Sequence, residues 1–148
     1  MEELNLSGSW SGTLIYGKEY RNHAGKELHF NMNLVHYKNE VAGTARDTGG
    51  TGASPDESNI LGVFQNNTIS FHKQYVSLHY YTNNGDTAID RSRKGPLINY
   101  TGTFNPQEQL FYGEWEMRLI LNVFGIRIPI SRKATGTWTM KRNEYDSN

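Results

Sequence analysis

The chain has 148 residues, of which 36% are hydrophobic, 20% charged and 12% aromatic, and its 15 basic and 15 acidic side chains cancel. That balance suits one globular domain over 1–148, able to bury roughly two thirds of its unfolded surface, and it provides no basic field for nucleic acid. Without Cys, disulfides, zinc–thiolate centres and cysteine nucleophiles are excluded.

Taken from the start, Met1-Glu2-Glu3-Leu4-Asn5 lacks the basic and apolar regions of a secretory leader. No apolar run approaches the ~20 residues of a membrane-spanning helix. The expectation is a cytoplasmic protein with no membrane span. Gly8 to Tyr16 reads as a strand, with Trp10, Gly12, Leu14 and Tyr16 on one face and Ser9, Ser11 and Thr13 on the other. Gly17 to Lys26 is a polar loop. Glu27 to Tyr37 alternates most strictly: Leu28, Phe30, Met32 and Leu34 against His29, Asn31 and Asn33. One wet face and a period of two indicate an antiparallel sheet.

Lys38-Asn39-Glu40 turns into a strand carrying Val41, Gly43, Ala45 and Asp47 on one side. Thr48 to Ser58 is Gly-rich and reads as a loop. Ile60 to Gln65 and the strand bearing Ile69, Phe71, Lys73 and Tyr75 flank Asn66-Asn67, a pair suited to a tight hairpin. Val76 to Pro96 reads as a strand extension plus an irregular connection. Leu97 to Phe104 turns Ile98, Tyr100, Gly102 and Phe104 inward, and the strand from Leu110 does the same with Phe111, Gly113, Trp115 and Met117. Ala134 to Arg142 is the last strand, with Gly136, Trp138, Met140 and Arg142 inward.

About eight strands without a helical period predict an all-β, antiparallel up-and-down barrel whose first and last strands pair. This layout, with Gly8-Ser9-Trp10 on the first strand and Lys141-Arg142 on the last, resembles the calycin group of lipocalins, avidins and fatty-acid-binding proteins. The resemblance implies a binding barrel in which a last-strand basic side chain, here Arg142, packs near the first Trp. The chain departs from those families in lacking a placeable C-terminal helix, the avidin loop residues that contact biotin, and a helical lid after the first strand. No family ligand is carried over.

The inward faces collect polar groups that are costly inside a small barrel unless paired. The candidate ligand-binding set is Tyr16, Phe30, Asp47, Phe71, Lys73, Tyr75, Tyr100, Trp115 and Arg142, with Lys73 or Arg142 as partner for Asp47 and as the polar end of a largely apolar pocket. The competing reading has these groups at the rim or satisfying one another. His29 and His36, like His72 and His79, are seven residues apart and face opposite sides of a strand, so no metal site is expected. Glu114 and Glu116 share a face with Tyr112 and Arg118, which reads as the wet exterior rather than a catalytic pair.

Leu119 to Ser131 is almost continuously apolar and reads as a hairpin turning at Gly125 that extends the strands on either side of it. It is assigned to a plug over the barrel mouth, to a homodimer contact, or to a membrane-surface or ligand-portal role. Three functions remain open: binding of a small apolar or amphipathic ligand, a cofactor-independent isomerase or cyclase working inside the barrel, and an interaction module using 119–131. No cofactor is expected.

Overall fold

A computed structural model describes residues 4–18, 24–51, 53–54, 56–75, 78–81, 87–90, 97–123 and 126–143, with 78–81, 87–90, 118–123 and 126–134 described through their backbone alone. The strands are β1 (Gly8–Tyr16), β2 (Glu27–Tyr37), β3 (Glu40–Gly50), β4 (Ser58–Gln65), β5 (Thr68–Tyr75), β6 (Leu78–Tyr81), β7 (Thr87–Asp90), β8 (Leu97–Asn105), β9 (Leu110–Val123) and β10 (Ile126–Arg142). Eight of them close an antiparallel barrel in the order β1-β10-β9-β8-β5-β4-β3-β2. The expected closure is present: Trp10 lies opposite Arg142 and Leu14 opposite Trp138. Among the described residues no helix is long and apolar enough to cross a membrane.

Two expected boundaries move. The run from Thr48 continues β3 to Gly50, because Gly49 and Gly50 pair with His29 and Leu28 of β2 beyond a shift in register. Within 76–96, β6 and β7 pair as a separate two-stranded sheet, so the strand extension expected there is instead a local hairpin; its turn residues lie outside the described segments. As the hairpin reading of 119–131 expects, β9 and β10 prolong each other beyond the barrel, with Ile126 opposite Val123 and Ile128 opposite Leu121, so the last strand runs from Ile126. The hairpin reading of 119–131 thus matches the backbone, whereas Phe124, Gly125 and the side chains that would distinguish plug from dimer fall outside the described residues.

The turn chemistry is local. Asn66 and Asn67 take φ of 53° and 64° between the paired Gln65 and Thr68. Asn tolerates this left-handed region, and two such residues give the twist a tight hairpin requires.

Rings fill the interior. Trp10, Phe30, Tyr100, Phe111, Trp115 and Trp138 are all at most 2% exposed. Phe71 and Tyr100 stack at 4.6 Å, and both meet the Trp138 ring edge-on. Phe111 then links Trp138 to Trp10, Phe64 and Phe104. Each indole N–H is satisfied by a carbonyl: Trp10 by Leu6, Trp115 by Ile15, Trp138 by Thr101 and Glu114.

Inward glycines make room for these rings. A Cβ on Gly102 would stand 2.6 Å from Cζ2 of Trp138. Gly102→Ala is therefore expected to cost about 1–3 kcal/mol, the range for overpacking. Urea unfolding checks this, and an unchanged midpoint would show that Trp138 and the Tyr112 carbonyl, 2.7 Å from the same Cβ, both yield freely.

One end of the barrel is sealed. Leu6 is fully buried there. Its amide N–H donates to His36 Nδ1 at 3.0 Å, and the Arg142 guanidinium donates to the carbonyls of Ser7 and Asn5. Arg142 also lies over the Trp10 ring, 4.6 Å from its centroid, a cation–π contact.

Candidate functional site

The other end carries the polar cluster. Asp47 lies two residues past Ala45, the last β3 residue paired with β4. Here β3 holds an extra residue: His29 faces Gly49 and the adjacent Phe30 faces Asp47, leaving Thr48 unpaired. Asp47 points inward by the same alternation as Val41 and Ala45, and the bulge falls just after it. From β5, Lys73 and Tyr75 point inward by simple alternation, with Phe71 below them.

Lys73 Nζ donates to Asp47 Oδ1 at 3.2 Å, and both side chains are entirely shielded from solvent. The Tyr75 hydroxyl donates to the same carboxylate, 3.1 Å from Oδ2. The amide N–H of Ser54 adds a third donor at 2.8 Å to Oδ2. The ammonium also lies 5.2 Å from the Phe30 centroid and 4.9 Å from that of Tyr75. Lys73 is thus held between a carboxylate and two ring faces. Tyr16 closes the rim by donating to the Thr51 carbonyl at 2.7 Å, and its ring meets Trp115 edge-on at 6.0 Å.

Burial pushes the Lys73 pKa down from its ordinary 10.5, against the opposing pull of Asp47. Burial, followed by the negative charge of Asp47 and then the neighbouring Tyr100 and Tyr16, pushes the Tyr75 phenol far up from 10.0. Between the lowered Lys73 value and 10.5, the unfolded chain binds more protons at this lysine than the native state does. Stability from Lys73 therefore rises with pH across that window. Above 10.0 the unfolded chain loses a tyrosine proton that the native Tyr75 keeps, so the Tyr75 contribution falls with further increase. Chemical unfolding at stepped pH checks both slopes against a Lys73→Met/Asp47→Leu/Tyr75→Phe variant, in which both are expected to vanish.

Of the nine residues expected at the site, Tyr16, Phe30, Asp47, Lys73 and Tyr75 form the cluster, Trp115 borders it through Tyr16, and Tyr100 neighbours Tyr75. Phe71 and Tyr100 pack against each other and Trp138 rather than facing open space. Arg142 is the correction. Its register position opposite Trp10 puts it at the sealed end, where its hydrogen bonds go to Ser7 and Asn5, so Asp47 pairs with Lys73 and not with Arg142. Sequence reasoning missed the Ser54 amide, the Thr48 bulge and the Leu6 plug. Glu114 is exposed and Glu116 half-buried; both line an outer groove with Asn99 and Thr101. Among the described residues no group of three His, Asp or Glu side chains is placed to hold a metal ion.

No family model matches the chain, and no curated protein matches it.

Proposed function

We propose that the chain is a calycin-like binding barrel that takes a small amphipathic molecule by its polar head at Lys73, Asp47 and Tyr75. The observation that carries this reading is the fully buried Lys73–Asp47 pair. Taking both charges out of water costs several kcal/mol per ion, and a well-packed apolar trio of similar volume is commonly as stable or more so. A pair retained at that cost fits a role in recognition. The position of Arg142 over Trp10 supports the calycin likeness.

The pair also sets the ligand's chemistry. Asp47 already neutralises Lys73, so an added anion would meet its carboxylate. A neutral carbonyl or hydroxyl gains hydrogen bonds at no such cost. With the interior filled by rings, the apolar tail belongs at the Lys73 end, beside Tyr16 and Trp115. Native mass spectrometry with 2-decanone, decanol and decanoate tests this. One equivalent of either neutral compound is expected to bind more tightly than decanoate. No one-to-one complex with any of them, or decanoate as the tightest, overturns the reading.

The Lys73 ammonium and the Tyr75 hydroxyl, joined through one carboxylate, also form an acid–base set. That favours, as the second reading, a cofactor-independent isomerase, recognised by chemical change in the bound compound.

A further inference from the structure

We infer that the Lys73 amine captures an aldehyde as a reversible imine, with Asp47 as proton carrier and counter-ion. This rests on the cluster being the ligand site and narrows the ligand to carbonyl compounds.

Lys73 Nζ carries the one strong nucleophile of the cluster. Its setting suits the chemistry at both ends of the reaction. A carboxylate 3.2 Å away can relay protons at the nitrogen, and burial eases release of the ammonium proton, the usual route to a nucleophilic lysine. The faces of Phe30 and Tyr75 accept a flat iminium cation as they accept the ammonium. Tyr75 keeps its proton and holds the Asp47 carboxylate in line through its hydrogen bond.

The protons balance without an outside donor. The ammonium passes a proton to Asp47, and the freed Nζ lone pair attacks the carbonyl carbon. The C=O π electrons move to oxygen, which takes the proton back from Asp47. The nitrogen then gives Asp47 a second proton, its lone pair forms C=N, the C–O bond breaks, and the departing hydroxide takes that proton as water. An ammonium and an aldehyde have become an iminium and water, and Asp47 ends as the carboxylate facing the new cation.

The test treats the full chain with decanal and sodium cyanoborohydride, followed by peptide mapping. One modification is expected at Lys73, with a mass gain of the aldehyde less its oxygen, and Lys73→Arg is expected to lose it. Should that variant fail to fold, the parent's map decides alone, because exposed Lys26, Lys38 and Lys141 serve as internal controls. Labelling confined to exposed lysines while decanol still binds one-to-one overturns the imine and leaves the binding reading intact. Failure of both decanal and decanol overturns both.

Discussion

Lys73→Met is expected to destabilise the barrel by about 3–5 kcal/mol, the usual cost of removing one partner from a buried ion pair. Met reproduces the length of the lysine stem, so packing changes little. What remains is the Asp47 carboxylate, shielded from water and left with only the Tyr75 hydroxyl and the Ser54 amide to compensate it. Adding Asp47→Leu and Tyr75→Phe removes the stranded charge together with the hydroxyl that depended on it. The triple variant is expected to recover parental stability or exceed it, since apolar replacements of buried pairs are often neutral or stabilising. Urea unfolding of the three proteins checks this. A triple variant as weak as the single one would show that the cluster itself holds the fold together.

Trp138→Ala is expected to cost about 3–5 kcal/mol, the range for a large ring deleted from a core. Trp138 is 1% exposed and touches Phe71, Tyr100 and Phe111. Its ring lies against Gly102, and its N–H serves the carbonyls of both β8 and β9. Deletion leaves a cavity that the closed sheet cannot collapse, because backbone pairing fixes the surrounding strands. Trp138→Phe keeps much of the ring and loses the hydrogen bonds, so it should fall between parent and Ala. Thermal unfolding followed by circular dichroism checks the order. A loss below about 1 kcal/mol for Ala would show that the core repacks.

How far the sequence was readable follows from which forces are local. The alternation of Leu28, Phe30, Met32 and Leu34 is a period-two signal that survives in any sheet, and Gly8-Ser9-Trp10 on the first strand and Gly136-Thr137-Trp138 on the last are the matching ends of a closed sheet. Lys73 was legible as inward because it lies between Phe71 and Tyr75, and Asp47 because it continues Val41, Gly43 and Ala45. Face alone does not give height along the barrel. Arg142 therefore read as a candidate partner of Asp47, although its pairing opposite Trp10 sets it at the far end. The Thr48 bulge depends on how β2 and β3 share hydrogen bonds, and the Ser54 contact on a backbone N–H. Neither has a side-chain signature. Leu6 lies before the first strand in a segment without periodicity, and only the completed barrel end shows what it plugs.

The most direct measurement of the central claim, that the buried cluster serves a ligand rather than the fold, is the affinity of 2-decanone for the parent and for the Lys73→Met/Asp47→Leu/Tyr75→Phe variant. Hydrogen bonds to charged groups contribute about 1.5–3 kcal/mol, which converts to a loss of roughly 10- to 150-fold. A triple variant that keeps parental stability while binding that much more weakly is the expected result. Equal affinity in the two proteins would contradict the account.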